Sequence, residues 1–220
     1  MGKIKRGILG GVSGKVGSVI GATWKEIDYL RSLPASYTDA KTESQLAQRF
    51  KFSTVLKFLQ PITAFLRVGY KGLATKMTAF NAAVSFNYHN ALMGTSPNFD
   101  IDYTKAAVSR GNLQGAINPS ITSTTPGTIV VSWDAGVPQG QASLNDTTLV
   151  VLYNATQKES VYLFNAGIRG DETVIIEVPA NYSGDEVHGY ISFAAYGSVV
   201  GSQAKNGISN SAYAGMITVA

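Results

Sequence analysis

Cysteine is absent from the 220 residues. No disulfide framework, thiolate zinc site or cysteine nucleophile can therefore be built, and the redox compartment leaves no mark on the composition. Charge is scarce as well, at 15% of residues against roughly 25% in an ordinary soluble domain. Two readings of that scarcity stand side by side: a neutral, Gly- and Ser-rich β-surface, or surface hidden in an assembly, since exposed neutral surface associates. Histidine occurs only at positions 89 and 188. Neither has the HxH or HExxH spacing that sets two imidazoles on one metal, and both read as surface or satisfied core residues. A nucleophile elbow G-x-S-x-G is missing too. No run approaches the roughly 18 apolar residues of a membrane-spanning helix.

GILGGVSGKVG (residues 7–17) resembles a phosphate-binding loop but fails the pattern. Leu9 stands where the first Gly belongs and Val16 where the Mg²⁺-binding Ser or Thr belongs. The same segment is a poor signal peptide, because Lys15 and five glycines interrupt its apolar stretch. Arg6 occupies the place where a myristoylation signal needs Ser or Thr. The location stays unassigned, with the cytoplasm or a virion favoured. Paired carboxylates offer little more. Asp100 and Asp102 would share one face of a strand, about 7 Å apart, as a calcium corner or half an acid–base pair. Asp171-Glu172 and Asp185-Glu186 fall in expected turns, where loop carboxylates hold calcium in some sandwich proteins. The expectation is a protein that is not an enzyme, with no cofactor and no metal.

What the chain does have is a divided charge. Residues 1–115 carry 15 Lys and Arg against 6 Asp and Glu, and residues 116–220 carry 3 against 8. A basic half can meet phosphates, an anionic membrane surface or the acidic half of another copy; alternatively it is a solvated face. Contact between opposite halves of successive copies would be heterologous, giving rings or filaments.

Residues 16–23 and 27–32 are β-leaning runs around Trp24-Lys25-Glu26 and predict a hairpin. Its glycines suit close approach of another backbone, so the hairpin is a candidate arm across a neighbouring subunit. Helical spacing then predicts three amphipathic helices, over 42–59, 62–71 and 78–93, with Pro61 breaking the first from the second. Thr42 and Gln45 form a capping-box pattern. The aromatic stripes, with Phe52 and Leu56 among them, are expected in the core. Residues 94–118 read as an irregular connection ending in a short strand. Beyond Asn118-Pro119 seven β-rich runs recur (120–124, 128–133, 148–153, 160–164, 172–178, 187–196, 211–219), the pattern of a β-sandwich. Ile129, Val131 and Trp133 share one face, and Val187, Tyr190 and Phe193 suggest a bend or bulge. Trp133 and Tyr190 are expected in the core. A Trp on an early strand, without the inter-sheet disulfide, favours a fibronectin-type or bacterial immunoglobulin-like sandwich.

The blocks GILGGVSGKVGSVIGATWKEIDYLRSLP, TESQLAQRFKFSTVLKFLQPI, MTAFNAAVSFN and IDYTKAAVSRGNL resemble a domain-of-unknown-function family of bacterial and phage proteins. The resemblance runs nearly end to end and is most specific over residues 7–112. It implies a recurring architecture and supplies no activity, cofactor or site residue.

The fold class expected is α+β: an N-terminal hairpin and three-helix region over 1–117, then an immunoglobulin- or fibronectin-like β-sandwich over 118–220. The function expected is a structural or assembly protein of a virion, filament or cell surface, forming homo-oligomers through its N-terminal arm. The alternatives are a nucleic-acid-binding protein using the basic half, where cations alternate with aromatics, and a surface carbohydrate- or protein-binding module. Lys3, Lys5, Arg6, Lys15, Trp24, Lys25 and Arg31 are the candidate assembly or polyanion contacts.

Overall fold

The computed structural model describes residues 2–4, 10–24, 27–34, 36, 39, 41–74, 77–196 and 207–220. The chain divides into two compact units, Met1–Thr42 and Glu43–Ala220.

The first unit is an antiparallel meander of β1 (Lys3–Ile4), β2 (Val12–Val16), β3 (Val19–Trp24) and β4 (Ile27–Ser32), in that spatial order. The β2–β3 turn uses Gly17 at φ +57°, a conformation open to glycine at little steric cost. Gly21 is needed for space: a Cβ there would come within 1.9 Å of the Val12 carbonyl oxygen, where β2 closes over β3. The hairpin expected around Trp24 is thus the last part of a larger sheet. Its outermost strand, β4, is exposed along its whole length.

The second unit begins with α1 (Glu43–Leu59), α2 (Thr63–Gly69) and α3 (Ala79–Asn90). Val55, Phe58, Leu59 and Ile62 are all buried, at the three- and four-residue spacing of one helix face continued past its end. The break between α1 and α2 falls at Pro61, which cannot donate to a continuing helix. Thr78 caps α3, its side chain accepting from the Asn81 N–H at 3.1 Å. The third helix is shorter than expected, because Leu92–Thr95 turns into β5 and pairs with β6 (Asn98–Ile101).

Seven further strands follow: β7 (Ile117–Thr122), β8 (Thr128–Asp134), β9 (Thr147–Asn154), β10 (Glu159–Ile168), β11 (Thr173–Glu177), β12 (Glu186–Ala194) and β13 (Ala212–Thr218). They form a three-stranded sheet, β11-β8-β7, and a four-stranded sheet, β10-β9-β12-β13. Ile129, Val131 and Trp133 of β8 meet Val150 and Leu152 of β9 and Ile191 and Phe193 of β12 in one buried cluster. The two sheets therefore face each other as a sandwich.

The outer face of the four-stranded sheet is covered too. Leu149, Val151 and Tyr153 of β9 and Tyr190 of β12 join Val55, Phe58, Phe65 and Leu66 of the helices in a second cluster. Alternate residues of one strand thus serve two cores. This accounts for the unbroken apolar run TLVVLY, since a strand covered on both faces has no polar side to show. The unit is three layers deep, helices on sheet on sheet. The boundary expected at 117–118 falls inside this unit, where helices and sandwich share a core. Val187 and Phe193 face the sandwich while Tyr190 faces the helices. Alternation under two-sided burial explains that triplet, and a register shift against β13 falls at Gly189/Tyr190.

The connection from β6 to β7 is held more firmly than its irregular sequence suggests. Buried Asn87 donates to the carbonyls of Ala83 and Ala107 and accepts from the Ala107 N–H, each at 2.9 Å. Ser211 accepts from the Val108 N–H at 3.0 Å, tying the loop to β13.

Two core expectations separate from the rest. Trp133 and Tyr190 are 3% and 0% exposed, whereas Phe52 is 49% exposed. Phe52 is a correction: it flanks the buried Val55–Phe58–Leu59 stripe and lines a shallow apolar groove with Val84 and Tyr88. Leu56 is partly buried and packs against the helix-side core.

Candidate interaction surface

The candidate contact residues belong to the first unit, and strand register decides how they are grouped. Lys15 lies opposite Ile20, and Ile20 opposite Arg31. Lys3 lies opposite Ser13, two residues before Lys15, and Ala22 lies opposite Tyr29, two residues before Arg31. Directly opposed residues and residues two apart share a face. Lys3, Lys15, Arg31 and Tyr29 therefore occupy one face of the meander. The other face carries Ile4, Val12, Val16, Val19 and Leu30, with Asp28 accepting from the Thr23 hydroxyl at 2.5 Å.

Lys3, Lys15 and Arg31 are exposed. Trp24 ends β3 opposite Ile27. Lys5, Arg6 and Lys25 lie outside the described residues. The exposed apolar side chains of this unit include Ile4 at 56%, Ile27 and Leu30 at 63% each, and Tyr29 at 45%. Among the described residues of this unit no second layer covers these apolar side chains.

Asp100 and Asp102 do not lie on one strand. Asp100 lies in β6, while Asp102 lies beyond it and closes a turn. It accepts from the Thr104 N–H at 3.1 Å and hydroxyl at 2.5 Å and pairs with Lys105 at 2.9 Å. These bonds, that to Thr104 foremost, hold its pKa below the usual carboxylate value. Among the described residues no three His, Asp or Glu side chains converge as a metal site. No described helix is long and apolar enough to cross a membrane.

Two buried polar groupings escape sequence reasoning. Arg169 is 1% exposed. Its Nε and Nη2 donate to Asp146 Oδ2 at 3.2 Å, Nη2 also donates to the Gln114 carbonyl at 2.7 Å, and the guanidinium lies 3.9 Å from the Phe193 ring centre. The second grouping is an aromatic cluster between helices and sheet. His188, 5% exposed, stacks on Tyr103 at 3.8 Å between ring centres, with Nδ1 2.9 Å from the Tyr213 hydroxyl and Nε2 3.0 Å from Glu186 Oε1. Tyr190 donates to the Tyr103 carbonyl at 2.8 Å. Burial pushes the Tyr153 phenol up to about 12, and Asp100 adds to the effect; burial likewise raises Tyr103 and Tyr190. These phenols stay neutral hydrogen-bonding groups.

Burial also holds His188 below its ordinary pKa, Glu186 opposing less strongly. In the unfolded chain the imidazole returns to about 6.5. The unfolded state then takes up a proton first on acidification. The stability that neutral His188 confers is complete above about pH 6.5 and is lost as pH falls towards the folded-state value. The urea midpoint of the wild type should exceed that of His188→Gln at pH 7.5, and the gap should narrow as pH falls below about 6.5. Midpoints running parallel across that range would contradict this role for His188.

A family model described as "Family of unknown function (DUF6266)" matches residues 11–215. No curated protein matches the chain. Solved structures similar to it include the fn3 domain of the human collagen alpha-1(XX) chain, 16% identical, covering 50% of this chain and 87% of that one with a TM-score of 0.34. Another is the chicken CNTN1 FN1–FN3 domains, 11% identical, covering 50% of this chain and 33% of that one with a TM-score of 0.33. The family match runs from Gly11 to Gly215, through the meander, the helices and the sandwich alike, and the chain belongs to DUF6266.

Proposed function

We propose that this chain is a non-enzymatic assembly protein whose first unit joins copies together and whose second unit is the rigid body they carry. The observation that carries the reading is the contrast between the two units. The second buries two apolar clusters against three layers of structure. The first exposes Ile4, Ile27, Tyr29 and Leu30 on a sheet whose glycines leave little side-chain bulk. Covering that surface would stabilise the sheet by about 25 cal/mol for each Å² of apolar area removed from water.

We read the seven C-terminal strands as a fibronectin-type member of the immunoglobulin-like sandwiches. In sequence order the fourth strand, β10, pairs with the third, whereas an immunoglobulin constant domain places its fourth strand beside the fifth, in the opposite sheet. Such a body suits display or spacing and implies no chemistry of its own.

A second reading has a specific observation in its favour. Lys3, Lys15 and Arg31 share a face with Tyr29, the combination of cations and an aromatic platform that single-stranded nucleic acid uses. Light scattering of the intact chain, at low and high salt and with and without a fluorescent single strand, separates the two. The assembly reading expects oligomers in the absence of nucleic acid. Monomers that bind the strand, with affinity falling steeply as salt rises, would replace it with the second reading.

A further inference from the structure

The first unit has one long open edge, and its backbone says how that edge is used. Leu33 donates its N–H to the Ser18 carbonyl at 2.7 Å. In an antiparallel ladder hydrogen-bonded pairs alternate with non-bonded ones. The odd-numbered residues of β4 therefore aim their backbone groups at β3. Asp28, Leu30 and Ser32 aim theirs outward. Among the described residues no strand pairs with that side of β4, and all six of its residues are exposed. An edge of this kind, without proline or bulge, accepts another strand.

We propose that β4 pairs edge to edge with β4 of a second copy, antiparallel, across a two-fold axis through Leu30. This rests on the assembly reading above and specifies its contact. A two-fold axis perpendicular to the sheet keeps each face on its own side, so even residues oppose even and odd oppose odd. Three centres then lie within reach. A centre at Arg31 sets two guanidinium groups directly opposite, which is destabilising. A centre at Tyr29 leaves the Asp28 carboxylate opposite the partner's Leu30. With the centre at Leu30, Leu30 meets the partner's Leu30 and Asp28 meets the partner's Ser32, so every outward-facing residue of the edge finds a hydrogen-bonded counterpart. Tyr29 meets the partner's Arg31 on the basic face, a pairing of ring and guanidinium that is attractive. The resulting eight-stranded sheet is continuous, with one basic face formed by both copies.

The absence of cysteine makes the register readable. Leu30→Cys under mild oxidation should give a disulfide-linked dimer as the main species, because the two thiols sit opposite within bridging distance. Tyr29→Cys should cross-link several-fold less. Leu30→Pro supplies the complementary measurement. The Leu30 N–H faces outward, so proline there removes no bond to β3. It should leave the circular dichroism spectrum unchanged while weakening self-association about tenfold or more. Efficient cross-linking through Tyr29→Cys with none through Leu30→Cys would overturn the register. Undiminished self-association of Leu30→Pro would overturn the edge contact while leaving assembly by another surface standing. A wild-type chain that stays monomeric would overturn both.

Discussion

Trp133→Ala is expected to destabilise the second unit by about 3–5 kcal/mol, the range for emptying a buried aromatic site. The indole is 3% exposed between the sheets, at the end of the alternating face Ile129, Val131, Trp133. It packs edge-on to Phe193, with ring centres 5.9 Å apart. Its Nε1 donates to the Arg169 carbonyl at 2.8 Å, so truncation opens a cavity and also leaves a buried carbonyl short of a donor. Trp133→Phe keeps much of the volume and loses the bond, and should cost less. Urea unfolding followed by far-ultraviolet circular dichroism measures both. A Trp133→Ala midpoint equal to that of the wild type would contradict the packing described for β8.

The other large effect is expected at Asp146. Its carboxylate, 1% exposed, is the acidic partner of the Arg169 guanidinium among the described residues. Asp146→Ala leaves that charge buried and unpaired, which costs about 3–5 kcal/mol. Removing both charges is a different experiment, because desolvating an ion pair offsets much of its attraction. The double variant Asp146→Leu, Arg169→Met should lie closer to the wild type than Asp146→Ala does. The urea midpoints decide it, and a double variant less stable than Asp146→Ala would show that the pair contributes net stability.

Much of the second unit was legible in the sequence because its periodicities are strong. The helical spacing of Val55, Leu59 and Ile62 and the break at Pro61 mark α1 and α2, and the β-rich runs from residue 120 onward coincide with strands. What alternation could not convey was the layer above. TLVVLY reads as a strand in either case, and its lack of a polar side was the one signal that helices cover it. Taking helices and sandwich as separate domains followed from treating a proline boundary as a break in packing, although Val55 and Tyr190 lie in one core. Phe52 was misplaced because helical spacing identifies a stripe without fixing its edges. The strands β5 and β6 are only four residues each, too short for a period to emerge.

The buried polar groups were hidden for another reason. Arg169 sits in an Arg-Gly-Asp stretch that reads as a solvated turn, and its partner Asp146 is 23 positions away. Nothing local announces the pair. His188 likewise looks isolated in sequence, since Tyr103 and Tyr213 reach it only through the fold. In the first unit the cations are scattered along the chain, and pairing between strands is what brings Lys15 and Arg31 to one face.

The assembly claim is tested most directly by deleting residues 2–33 and comparing the mass in solution with that of the intact chain. The compact second unit, Glu43–Ala220, is untouched by the deletion, so its circular dichroism and cooperative unfolding serve as the control for folding. The mass of the intact chain is expected to rise with concentration to at least that of a dimer, and the deleted chain to fold and remain monomeric throughout. A folded deletion variant with the oligomer mass of the intact protein would contradict the assembly claim.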